Sequence, residues 1–137
     1  LDAARHLGRY KVVDLCLDTL VHNGGVTTTD ALWMETPVLT SYRGDLPDRT
    51  GASLLAAAGL PQLVATDSAD YVSRACQLAT TPGALAALRH QVLQNQNTAP
   101  LFDTALFPRN LEAALLDLWT RAVDNQASLQ GDAETDA

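Results

Sequence analysis

Two short, nearly continuous apolar runs, Val12–Leu17 (VVDLCL) and Val38–Ser41 (VLTS), bracket a polar stretch and a segment of helical period. Unbroken apolar character suits strands covered on both faces. Between them, Asn23-Gly24-Gly25 can adopt turn geometry, and Thr27 or Thr28 can cap a helix by accepting an orphan amide hydrogen bond. Ala31, Leu32 and Met34 can then face a sheet before Pro37 ends the helix. Val13–Ser41 is read as strand, loop, helix and parallel strand.

Ahead of this stretch, Leu1–Tyr10 (LDAARHLGRY) has helical composition, with His6 and Arg9 three apart on one face. Behind it, Arg43–Asp48 reads as a loop, Arg49–Ala58 as a helix closed by Gly59, and Leu63–Ala65 as a third strand. Asp67 is placed to cap a helix over Ser68–Thr80, with Asp70 in its first turn. Thr81 and Pro82 are read as N-cap and first residue of the next helix, whose stripe is Leu85, Leu88 and Val92. Asn95–Ala99 ends it, and Pro100–Phe102 returns to the core. Leu111, Leu115, Leu118, Trp119 and Ala122 recur at helical spacing and are expected to be core.

The architecture expected is α/β: a Rossmann-like parallel sheet with flanking helices over residues 1–123. Residues 124–137 (DNQASLQGDAETDA) have almost no apolar content and are expected to be a disordered acidic tail. Three strands are few for a doubly wound sheet and the chain opens inside a helix without a methionine, so further strands are expected upstream.

With 137 residues, 47% apolar and 18% charged, the chain can build one modest core. Its formal charge is −7, but Asp124, Asp132, Glu134 and Asp136 all follow the last base, Arg121. The folded part is thus only mildly acidic and carries no basic stripe, which argues against nucleic acid as a partner. Cys16 and Cys76 lack ligand-spaced companions and read as reduced core residues in a cytoplasmic setting. No apolar run reaches the ~20 residues of a membrane span.

The chemistry concentrates in the loop from Asp18 to Thr29, which should lie outside the carboxyl end of the first strand, where open α/β sheets bind ligands. Glycines allow close approach of backbone to phosphate, and amides and threonine hydroxyls at a helix start can donate to it. Asp30 offers two acceptor oxygens to a ribose diol. Each feature also has an ordinary structural explanation, and the loop is neither a Walker loop nor a GxGxxG fingerprint. His6, His22 and His90 are too scattered to assemble a catalytic constellation, and none is assigned.

The succession DLCLDT, NGGVTTTDALW, PVLT, RTGASLL, APLFDT and LEAALLDLW resembles the C-terminal part of the O-linked N-acetylglucosamine transferases and the Spindly-type protein O-fucosyltransferases, over roughly Leu1–Ala122. The resemblance implies an inverting glycosyltransferase of GT-B fold, this chain being the C-terminal portion of its nucleotide-binding lobe. Tetratricopeptide repeats and an N-terminal lobe would lie upstream. It implies a UDP-sugar donor without a metal or other cofactor, and a protein or peptide acceptor. It further implies a donor site of His6 and Arg9 at the base and of Asn23, Gly24, Gly25, Val26, Thr27 and Thr28 at the diphosphate, with Asp30 at the ribose. Gly25 and Val26 stand where the family pattern has histidine and threonine, Ala3 where it has lysine, and Arg43-Gly44-Asp45 where it has Gly-Glu-Thr. Those departures leave a second expectation, a non-catalytic α/β interaction or regulatory lobe. A flavin or dinucleotide domain is a third.

Overall fold

The structure, a computed structural model, describes residues 2–42, 44, 47 and 49–135, with side chains to residue 124. Its centre is a parallel sheet of β1 (Cys16–Leu17), β2 (Val38–Ser41) and β3 (Val64–Ala65) in the order β1-β2-β3. Cys16 is opposite Val38, Leu17 opposite Leu39, Thr40 opposite Val64 and Ser41 opposite Ala65.

β1 is shorter than expected. Arg9–Val12 winds into a 3₁₀ turn closed by Val13 N–H on the Tyr10 carbonyl (3.3 Å), and Val12 is exposed. The ladder can start only where β2 offers partners: Cys16 N–H donates to the Pro37 carbonyl (2.9 Å) and Asp18 N–H to that of Leu39 (3.0 Å). Apolar residues ahead of that point have no strand beside them among the described residues. β3 is likewise short, because Pro61–Leu63 forms a 3₁₀ turn ahead of it.

Helices α1 (Ala3–Gly8), α2 (Val26–Trp33), α3 (Thr50–Ala57), α4 (Ser68–Thr80) and α5 (Ala84–Asn95) surround the sheet. Asp67 caps α4 as expected, its Oδ1 accepting from the Ala69 and Asp70 amides at 2.8 Å each. Gly59 closes α3 in the left-handed region (φ +72°), with Leu60 N–H on the Leu55 carbonyl (2.8 Å). The expected cap of α5 fails. Thr81 terminates α4, and Thr81-Pro82-Gly83-Ala84 is a turn with Ala84 N–H on the Thr81 carbonyl (3.2 Å) and Gly83 at φ +79°. Proline followed by a positive-φ glycine favours that turn over helix initiation.

The two sheet faces carry separate clusters. Val38 belongs to a large one with Leu32, Leu55, Leu60 and Val92, whereas Leu39, one residue on, packs with Ala65 and Tyr71. Strand alternation sends neighbouring side chains to opposite faces.

The chain divides into two compact units, the first ending at Phe102 and the second beginning at Asp103. The second is dominated by α6 (Leu106–Thr135), which continues through the segment expected to be a disordered tail. Gln126, Ala127, Leu129 and Gln130 are good helix formers and continue the helix already established over residues 106–123. Leu111, Leu115, Leu118 and Trp119, expected in the core, are exposed along α6. Their spacing fixes a common face but not what covers it.

Candidate nucleotide-binding site

The carboxyl end of β1 runs directly into the loop that contains most of the candidate residues. Asp18 is the first residue past the strand, and its Oδ1 accepts from the amides of Thr19 (2.9 Å) and Gly24 (2.7 Å). Asn23 is buried and bridges the loop to α3: its Nδ2 donates to the Thr19 carbonyl (2.8 Å) and its Oδ1 accepts from Gly51 N–H (3.1 Å). Asn23 is therefore a structural tie of the loop.

Neither Thr27 nor Thr28 caps α2. The helix begins at Val26 with Gly25 as a cap that has no side chain to offer, so both threonines lie in the first turn. Among the described residues the amides of Val26, Thr27 and Thr28 have no hydrogen-bond acceptor, as the geometry of a helix start requires. Thr28 is buried, and the Thr27 and Thr28 hydroxyls lie so close to Gly24 that a Cβ there would meet them at 2.4 and 2.9 Å. Glycine at position 24 is thus set by close approach. Gly25 has open space, with only Thr50 Cγ2 at 3.9 Å from a Cβ placed there, and Val26 is exposed.

α1 brings a second group to the same place. His6 Nε2 lies 3.1 Å from Asp30 Oδ2, and the Arg9 guanidinium contacts His6 Nδ1. A guanidinium can only donate, so Nδ1 accepts from Arg9 and Nε2–H donates a hydrogen bond to Asp30 Oδ2. The Tyr10 hydroxyl donates to the Thr27 carbonyl at 3.2 Å, fastening the 3₁₀ turn to the first turn of α2. Burial, then the nearby Cys16 and Asp30, raises the tyrosine's pKa, so it remains a donor. Burial and Asp18 likewise raise the Cys16 thiol, which disfavours a reactive thiolate.

Between Tyr10, Cys16, Asp18, Thr27 and Thr28 lies a cavity of about 170 Å³. That is well under the ~300 Å³ at which pockets for whole small molecules begin. α1 and the turn after it thus meet α2 through Tyr10 on the Thr27 carbonyl and His6 on Asp30, and α2 starts from the loop that leaves β1. Asp18 and Tyr10 are absent from the residues singled out by sequence, although their positions, directly after a strand and directly after Arg9, carry the signal that was available. The Arg43–Asp48 loop falls largely outside the described residues, and with it the Arg43-Gly44-Asp45 departure. Among the described residues no group of three or more His, Cys, Asp and Glu could hold a metal, and no helix is long and apolar enough to cross a membrane.

The sequence pattern of glycosyl transferase family 41 matches residues 2–111. The chain belongs to that family. It is 37% identical over 116 residues to a UDP-N-acetylglucosamine--peptide N-acetylglucosaminyltransferase of Caenorhabditis elegans, covering 85% of this chain and 10% of the relative. To a probable transferase of the same description, SPINDLY of Solanum lycopersicum, it is 35% identical over 119 residues, covering 87% of this chain and 13% of the relative. A solved structure of a lysine-to-methionine mutant of the Thermobaculum terrenum O-GlcNAc transferase superposes with a TM-score of 0.80 at 32% identity. That match covers 89% of this chain and 24% of the other. The chain therefore corresponds to a portion of family 41 proteins, and its α/β sheet with flanking helices is the family's fold in that portion.

Proposed function

We propose that this chain supplies the donor-nucleotide site of a protein O-glycosyltransferase that moves N-acetylglucosamine from a UDP-sugar to Ser or Thr hydroxyls with inversion. The observation that carries the reading is that α2, starting from the loop after β1, carries both unpaired first-turn amides and the Asp30 carboxylate that His6 contacts. The amides and the Thr27 and Thr28 hydroxyls would receive the diphosphate, stabilising charge as it develops on the leaving group. Asp30 Oδ2 is occupied by His6, which leaves Oδ1 for a ribose hydroxyl, and His6 would stack on the base beside Arg9. No metal is required by this scheme. The acceptor, a catalytic base, an N-terminal lobe and tetratricopeptide repeats would come from the remainder of the polypeptide.

Calorimetry with UDP on the full-length polypeptide tests the assignment. Asp30→Ala is expected to weaken binding about tenfold, through loss of a charge-assisted hydrogen bond. Equal affinity in the two proteins would remove Asp30 from the site.

Exposed Val26 at the first turn favours a second reading, a lobe that kept the fold without donor chemistry. Val26→Thr restores a hydroxyl at a position open enough to take it. The transferase reading expects this variant to bind UDP about three- to tenfold more tightly. A full-length protein that neither binds UDP nor labels any peptide, before and after the substitution, would leave the second reading standing.

A further inference from the structure

The loop is held by a group that the donor scheme does not use. Asp18 makes five links from one residue: its amide donates to the Leu39 carbonyl (3.0 Å), Oδ1 accepts from the amides of Thr19 and Gly24, Oδ2 from the Thr40 hydroxyl (2.7 Å), and its own carbonyl from the Tyr71 hydroxyl (2.8 Å). These partners belong to the loop, to β2 and to α4. The start of α3 presses on the same carboxylate, since a Cβ on Gly51 would lie 2.6 Å from Asp18 Oδ2 and 2.6 Å from Thr40 Oγ1. Only glycine lets α3 approach so closely.

A carboxylate lining the cavity between Tyr10 and the first turn of α2 is the wrong sign for an anion. Its acceptor positions are directed to three protein donors. We propose that Asp18 is the positioning residue of the donor loop, fixing Gly24 and through it the start of α2; this rests on the donor-site reading above. The negative charge is incidental to the task and the acceptor geometry essential. An asparagine can keep that geometry, its oxygen taking the Thr19 and Gly24 amides while its NH₂ donates to the Thr40 hydroxyl.

The experiment uses the full-length polypeptide, with UDP calorimetry and amide hydrogen exchange of the unliganded protein. Asp18→Ala is expected to speed exchange across residues 19–28 and to weaken UDP binding about tenfold, whereas Asp18→Asn restores protection and binds within about threefold of the original, or more tightly. Unchanged exchange and affinity in a folded Asp18→Ala protein overturns the proposal. So does an Asp18→Asn protein as impaired as Asp18→Ala, since charge would then be the property that matters. If Asp18→Ala does not fold, Thr40→Val replaces it: faster exchange over the loop with weaker binding supports the proposal, and no change in either overturns it. Should the original protein show no affinity for UDP, the donor-site reading falls, and exchange in the same variants still decides whether Asp18 positions the loop.

Discussion

Glu35 carries the only positive φ (62°) among the described non-glycine residues. It occupies the position after α2 that Gly59 occupies after α3, with Thr36 N–H on the Ala31 carbonyl (2.8 Å) and its own amide on that of Leu32 (3.1 Å). The left-handed conformation costs an L-residue ~1 kcal/mol, part of which glycine returns as lost unfolded-state entropy. Glu35→Gly is expected to stabilise by ~0.5 kcal/mol, seen as a higher urea midpoint at unchanged slope. Asp70 supplies a pH prediction. The Arg74 hydrogen bond (2.8 Å), then the Thr66 amide (2.9 Å), holds its carboxyl below the ordinary 3.8. A group lowered on folding contributes above its unfolded value and loses that contribution as pH falls through the folded one. The stability gap between the original protein and Asp70→Asn should hold above pH 3.8 and close below it, in urea titrations across the acid range. A gap independent of pH would mean the charge contributes nothing.

At the scale of elements, the same substitution has opposite signs in two helices. Gly8, in α1, has helical backbone and nothing within 4 Å of where a Cβ would sit, so Gly8→Ala should stabilise by ~0.5–1 kcal/mol through helix propensity. Gly51→Ala gains the same propensity but drives a methyl into Asp18, Thr40 and Asn23, and a net loss of ~1–3 kcal/mol is expected from thermal or urea unfolding. Both are read against the unsubstituted protein. Elements whose ends are set by local chemistry are legible in the sequence: the Asp67 cap, the Gly59 stop, and Pro37 ahead of β2. Those set by a distant partner are not. β1 is trimmed by where β2 begins. Thr81-Pro82 reads as a helix start only while Gly83 is ignored, and that glycine makes the dipeptide a turn signal before it is a helix signal.

At the scale of the molecule, the candidate loop is visible as composition, whereas its ties to Tyr10, Thr40, Gly51 and Tyr71 are contacts across 17 to 53 residues that no local pattern encodes. The same limit applies to the core. Leu39 and Leu55 read alike in sequence and both are fully buried, but they belong to different clusters. Leu55 is enclosed with Leu32, Leu60, Leu63 and Val92. Leu39 shares its smaller cluster with Ala65 and Tyr71, and a groove of about 590 Å³ between α4 and α5 reaches it. The cost of a Leu→Ala truncation depends on how far the surroundings collapse into the space left. Leu39 lines that groove and Leu55 does not, so the space left at Leu39 opens to solvent while that at Leu55 stays among Leu32, Leu60 and Val92. Leu55→Ala is therefore expected to cost ~4 kcal/mol and Leu39→Ala ~2–3 kcal/mol. Urea midpoints of the two variants measure the difference, and an equal or reversed order would mean that the Leu39 face is as tightly enclosed as the other.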